Sequence, residues 1–224
     1  MSYILNIESS STNCSISLSL NGKVISLKEQ NDEKYSHSTK LHSFIEQVLI
    51  DAKINIKQLS AVAVSKGPGS YTGLRIGVTA GKGLCYALGI PLISLSTLLI
   101  LAKQIKLKND GLIIPLIDAR RNEVYSSVYD FSYNKIRKEM PEIIDENSFG
   151  NLASENKLYF IGNGQEKCKR LIKNNSNLIF SNINSLPSSN EMALLSFEKF
   201  KNSKFEDIAY FEPEYFKNFI SNPQ

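Results

Sequence analysis

Residues 67 to 77 read GPGSYTGLRIG, a glycine-rich turn running into a periodic apolar stretch. Several chemistries use such residues. A Walker-type phosphate loop needs G-x-x-x-x-G-K followed by Ser or Thr. Five residues beyond Gly67 stands Thr72, and no Lys follows Gly73, so that motif fails. The dinucleotide fingerprint G-x-G-x-x-G starts well at Gly67 and Gly69 but also meets Thr72 where it needs its last glycine. A nucleophile elbow, Gly-x-Ser-x-Gly, is not formed around Ser70. A looser anion site at the helix N-terminus stays open, because free backbone N–H groups point outward there.

The remaining reading is packing. Gly73, Gly77 and Gly81 recur every fourth residue on one helix face, flanked by Ala80 and Leu84. Each interior glycine costs roughly 1 kcal/mol against alanine. A smooth groove that lets another helix approach closely compensates for that cost. The approaching helix belongs either to this chain or to another protein, and spacing alone leaves both open.

Other reactive side chains are sparse. His37 and His42 are the chain's two histidines, five apart in the first helix, so they point about 140° away from each other. No Cys or carboxylate cluster completes a metal site around them. Cys14, Cys85 and Cys168 are far apart, without a Cys-x-x-Cys pair, and read as reduced thiols of a cytosolic protein. Glu8 and Asp118 fall at strand ends, where turn or cap roles are ordinary. Ser9 to Thr12 make a polar turn with no glycine to let a ligand approach the backbone. Arg120 and Arg121 open a turn, available for a local ion pair, for nucleic acid or for a partner. Arg75 and Lys82 lie off the most apolar face of the glycine helix, placed to order an interface through charge pairs.

These residues need a scaffold. Tyr3 to Ile7 is a short apolar run; Cys14 to Leu20 alternates Ile16, Leu18 and Leu20 with serines; Asn21-Gly22 signals a hairpin into Val24 to Leu27. Leu41, Phe44, Ile45, Val48, Leu49 and Ala52 recur at helical spacing. A strand over 61–65, a helix over 71–88, a strand over 91–95 and a helix from Thr97 to about Lys106 complete the first half, β-β-β-α-β-α-β-α. The second half opens with a strand over 112–117 and a hairpin through Val124. A third strand over 136–144 carries Pro141, which suggests an edge. A strand over 158–161 and helices near 165–173 and 190–201 follow. The second half echoes the first in pattern without a repeat in sequence. The boundary is expected near 108–111, giving an N-terminal lobe of 1–108 and a smaller C-terminal lobe of 109–224 whose last helix packs back on the first.

Composition agrees with an ordinary globular chain. The 224 residues carry 42% hydrophobic and 21% charged side chains and a net charge of +4. That surplus permits contact with nucleic acid without arguing for it. MSYILNIESS has no basic segment before a long apolar one, so no signal peptide is expected. The uncharged stretch 84–102 is broken by Gly89 and Pro91 and is no membrane span. A cytoplasmic location is the expectation.

The segments ILNIESSSTNCSISLSLNGKVI, SHSTKLHSFIEQVL, AVAVSKGPGSYTGLRIGVTAGKGLCYALGIPLISLSTL and PLIDARRNEVYSSVYD together resemble the TsaB family. IGNG and EPEYFK fit its later segments weakly. That family is the dimerization subunit of the bacterial machinery for threonylcarbamoyladenosine in tRNA. The resemblance implies an α/β fold of two lobes, like actin, sugar kinases and Hsp70 ATPase domains (ribonuclease H-like). It implies a TsaD-like catalytic partner, a TsaE-like ATPase, and tRNA met through the complex. It places the interface on helices 37–53 and 71–88, hence on Leu41, Phe44, Ile45, Val48, Tyr71, Thr72, Gly73, Arg75, Ile76, Gly77, Ala80, Gly81 and Leu84. The catalytic relative's two zinc histidines fall here at Thr97 and Leu101, and leucine ligates no metal. Elsewhere in this fold, strand ends such as Glu8 and Asp118 hold magnesium-associated carboxylates. The expectation is a non-catalytic subunit with no catalytic, nucleotide or metal site and no cofactor of its own, ATP and metal residing on its partners. An exposed glycine groove is self-complementary, so a twofold homodimer in the partner's absence is a further expectation. Rival readings are a metal-dependent peptidase of the wider glycoprotease family and a small-molecule kinase relative with its own ATP site.

Overall fold

The computed structural model describes residues 1–32, 37–181 and 185–216. Three antiparallel strands open the chain: β1 (Tyr3–Glu8), β2 (Asn13–Leu20) and β3 (Lys23–Asn31). The hairpin between β2 and β3 turns at Asn21 and Gly22, both at positive φ, as the Asn-Gly pair favours. After α1 (His37–Ala52), β4 (Leu59–Gly67) runs parallel beside β1. Then α2 (Tyr71–Leu88) returns the chain to β5 (Leu92–Ser96), parallel to β4. The first sheet has the order β3-β2-β1-β4-β5.

A short α3 (Thr97–Ala102) leads to the second sheet. It ends at Ala102, several residues before Lys106. There follow β6 (Leu112–Asp118), β7 (Glu123–Tyr129), β8 (Lys135–Ile143), α4 (Gly150–Ala153), β9 (Leu158–Ile161), α5 (Gln165–Leu171) and β10 (Leu178–Phe180). Read from the other edge, the second sheet is β8-β7-β6-β9-β10, the same order as the first: a meander, then parallel strands added beside its first member. Pro141 lies on the edge strand β8.

Two apolar layers sandwich the first sheet. On one face α1 and α2 bring Leu41, Ile45, Val48, Val78 and Cys85 onto Leu5, Ile7, Ile16, Leu18 and Val64. On the other face lies α6 (Ser189–Lys201), which returns from the second half to press Met192 and Leu195 onto Ile4, Ala61, Ala63 and Ile93. The serine side of β2 is therefore buried beneath α6. Ser17 Oγ donates to Ser189 O at 2.8 Å, and Ser15 Oγ lies 2.9 Å from Ser189 Oγ. Asn6 links Ser17 and Ser19 to Ser196, whose hydroxyl donates to Asn6 Oδ1 at 2.7 Å. The hydrogen bonds so made offset the desolvation of the buried hydroxyls, which lets a polar strand face become interior.

Between the sheets sits α3. Leu98, Leu101 and Ala102 pack on Ile113, Ile117, Tyr129 and Ile161 of the second sheet, while Ile100 joins the core of the first. After α6, residues 203–216 run back over the first sheet and α2 as a strap. Glu206 bridges to Leu92, Lys82 Nζ donates to Phe211 O at 3.0 Å, and Lys66 pairs with Glu214. Phe216 then meets Tyr125 of β7, ring centroids 6.1 Å apart.

Candidate partner interface

The helix α2 is well delimited. Ser70 Oγ accepts from Gly73 N at 3.2 Å, capping the N-terminus, and Gly89 closes the C-terminus in the left-handed region. Its glycine stripe faces inward. A Cβ on Gly73 would land on the carbonyl oxygen of Ser9. One on Gly77 would meet Ser9 Oγ, and one on Gly81 would come 2.6 Å from Val64 Cγ1. Ser9 Oγ donates to Gly73 O at 2.9 Å, stitching the helix to the turn after β1. The stripe therefore admits this chain's own sheet and not a foreign helix. Gly73, Gly77 and Gly81 are corrected from interface to core, and Leu41, Ile45 and Val48 with them. The spacing gave the bare face but not the element lying against it.

Of the expected interface residues, Thr72 and Arg75 are exposed, and Phe44, Tyr71, Ile76, Ala80 and Leu84 are half-buried. Beside them the structure exposes residues the sequence reading passed over: Thr79, Gly83, Tyr86 and Ala87 on α2, and Ile50 on α1. Tyr86 is 85% exposed and Ile50 65%. Gly83 differs from the stripe, because a Cβ there would meet nothing within 4 Å. Its cost of roughly 1 kcal/mol in a helix has no internal compensation. Lying off the every-fourth pattern, it gave no periodic signal; only its helical setting and the burial of its three counterparts single it out.

Arg75 and Lys82 are engaged within the chain. The Arg75 guanidinium lies 4.2 Å over the Tyr71 ring and donates from Nε to Tyr215 Oη at 3.2 Å. Tyr71 and Tyr215 stack at 4.9 Å. Lys82 caps strap carbonyls. Between this flank of α2 and the strap lies a cavity of about 280 Å³ lined by Val78, Phe211 and Pro213 among others.

The strand-end carboxylates have different fates. Glu8 is fully buried; Oε1 accepts from Ser10 N at 2.7 Å. Among the described residues Oε2 lacks a hydrogen-bond partner, as do the hydroxyls of Ser10 and Ser65. Burial pushes the Glu8 pKa up to about 7, and the hydrogen-bond donors of Ser10 and its neighbours draw it only part of the way back. The Ser9–Ser10 turn lies against Gly69 and Gly73, and Ser70 N donates to Ser10 O at 2.6 Å. The start of α2 thus rests on the protein's own backbone where an anion would have to approach. Asp118 is exposed and pairs with Lys167 Nζ at 2.9 Å. It also accepts from Arg120 N at 2.6 Å. Arg120 and Arg121 stand consecutively at φ +67° and +48°, a conformation costing roughly 1–2 kcal/mol per residue outside glycine.

His42 is exposed, and the side chain of His37 lies outside the described residues. Thr97 and Leu101 are buried in the layer around α3. Among the described residues no three His, Cys, Asp or Glu side chains converge as metal ligands, and no helix is long and apolar enough to cross a membrane. All three cysteines are free and buried.

Comparison with known proteins bears on this surface. A family model described as "TsaD: tRNA N6-adenosine threonylcarbamoyltransferase" matches residues 31–220. The Bacillus subtilis protein named tRNA threonylcarbamoyladenosine biosynthesis protein TsaB is 39% identical over 49% of this chain. A Buchnera aphidicola protein of the same name is 37% identical over 59%. The chain spans 47% and 60% of the length of these two relatives. The Escherichia coli TsaB is 27% identical over 97% of this chain and 96% of its own length. Among solved structures, YeaZ from Pseudomonas aeruginosa superposes with TM-score 0.82 at 22% identity, covering 96% of this chain and all of that one, which establishes a shared fold. A second Pseudomonas aeruginosa protein, described as similar to peptidase YEAZ, gives 0.84 over 97% of this chain, also at 22% identity. The chain belongs to the family that the TsaD model describes, and within it to the TsaB proteins.

Proposed function

We propose that this chain is a non-catalytic subunit. It pairs with a TsaD-type catalytic subunit through the outward face of α2, with Phe44 and Ile50 of α1 beside it. In that complex it supports transfer of threonylcarbamoyl to N6 of adenosine 37 in tRNA. A TsaE-type ATPase joins the pair, in the cytoplasm, and ATP and metal bind to those partners. The names of the relatives support the pathway. One observation carries the pairing: Gly83, a helix-interior glycine with open space over it, sits among Thr79, Ile76, Ala80 and Ala87 in a low crest over which a second helix can lie closely. The exposed ring of Tyr86 borders that crest, an aromatic of the kind that anchors interfaces. The reading of no independent catalysis is supported by Thr97 and Leu101 packing in the apolar layer where the resemblance puts metal-ligating histidines.

The test is reconstitution. A TsaD-type subunit, a TsaE-type ATPase and an unmodified tRNA transcript should give threonylcarbamoyladenosine only when this chain is added. The pure chain should give none. Transfer that proceeds equally without this chain, or that the chain performs alone, contradicts the reading.

A further inference from the structure

The strained turn after β6 has no part in the pairing described above. Arg121 occupies the first central position of a four-residue turn closed by Glu123 N donating to Arg120 O at 3.1 Å. Positive φ at that place ordinarily calls for glycine. The backbone is held there firmly. Asp118 Oδ1 accepts from Arg120 N, and Lys167 Nζ ties Asp118 to Glu123 O at 2.7 Å. Lys167, only 9% exposed, neutralises the carboxylate that anchors the turn, so that carboxylate does not balance the arginines. Both guanidiniums are exposed, and among the described residues neither has an ion pair, hydrogen bond or ring contact. A chain that keeps two arginines where Asn or Gly would sit without strain, and leaves their charge unmatched, is presenting that charge outward.

We propose that the Arg120–Arg121 turn is a docking point for the phosphate backbone of RNA. The guanidinium fork matches a phosphate's oxygens, and such contacts position a nucleic acid without reading its sequence. Among the described residues no neighbour braces either side chain. A single fixed carboxylate on a protein would demand a braced partner, whereas a polyphosphate offers charges every few Å and can be met in several registers. The inference rests on the tRNA-modification reading only for its choice of RNA among polyanions.

The experiment measures binding of an unmodified tRNA transcript to the full chain between 50 and 200 mM salt, by fluorescence anisotropy. Arg120→Asn combined with Arg121→Gly keeps a turn compatible with positive φ and removes both charges. This variant should melt at a higher temperature than wild type. Its tRNA affinity should fall about tenfold or more at low salt, and the slope of log K against log salt should shrink by about 1.4 to 1.8. Arg120→Lys with Arg121→Lys should keep most of the slope. Unchanged affinity and slope in the folded double variant overturns the proposal, as does no measurable tRNA binding by the wild-type chain. If the double variant, unlike wild type, fails to co-purify with the TsaD-type subunit from nuclease-treated extract, the arginines belong to a protein contact, which also overturns it. Wild-type co-purification is read separately, so failure here leaves the α2 pairing standing.

Discussion

Gly77 and Gly83 lie on the same helix, six residues apart, and alanine at each should have opposite effects on stability. At Gly83 an added Cβ meets nothing within 4 Å. Gly83→Ala should therefore gain the helix-propensity difference, about 1 kcal/mol. At Gly77 the same Cβ runs into Ser9 Oγ and comes 3.3 Å from Ile7 Cγ2. Ser9 Oγ is not free to swing away without breaking its 2.9 Å bond to Gly73 O. Either α2 lifts from the sheet, an overpacking cost of about 1–3 kcal/mol, or a buried hydrogen bond is lost, about 1 kcal/mol. Set against the same propensity gain, Gly77→Ala ends level with wild type or about 2 kcal/mol below it, and about 1–3 kcal/mol below Gly83→Ala. In a chain of this size each kcal/mol moves the melting temperature by about 2–4 °C. Urea and thermal unfolding of the two variants measure the difference. Equal stabilisation of both would refute the inward stripe, because a stripe facing solvent gives the propensity gain at every position.

Two further outcomes follow from buried polar groups. Glu8 titrates higher folded than unfolded, so its contribution is fully present below the ordinary carboxyl value of 4.5 and is lost as pH rises through about 7. The shift corresponds to about 3 kcal/mol. Glu8→Gln should flatten the decline in unfolding free energy between about pH 4.5 and pH 7, and an unaltered decline would count against a buried, uncompensated carboxylate. Ser196→Ala leaves Asn6 Oδ1 without its 2.7 Å donor beneath α6 and should cost about 1–3 kcal/mol in urea midpoints. No loss would mean that the α6 seam is not closed in solution.

Much of this architecture is legible in the residues themselves. Asn21-Gly22 announces its hairpin, the Leu41–Ala52 pattern its helix, and Pro141 its edge strand, because each follows from local chemistry. What lies against a face is a different matter. Periodicity isolates Gly73, Gly77 and Gly81 as a bare stripe, but a β-sheet and a foreign helix both want such a stripe, and only the approach of Ser9 and Val64 decides. The serines of β2 are buried by α6, some 170 residues later in sequence. The three residues of β10 are too few to show a period, and the strap of 203–216 has none, so neither could be read. Glu8 owes its raised pKa to complete burial, and Gly83 owes its meaning to the emptiness above it; both are properties of space and not of spacing.

The most direct test is the affinity of this chain for a TsaD-type subunit, measured by calorimetry for wild type and for Gly83→Leu. A leucine on the open crest should leave the melting temperature at or above that of wild type. Overpacking of about 3 kcal/mol at the helix crossing should weaken binding about 100-fold. A folded Gly83→Leu protein that binds as tightly as wild type would contradict the account.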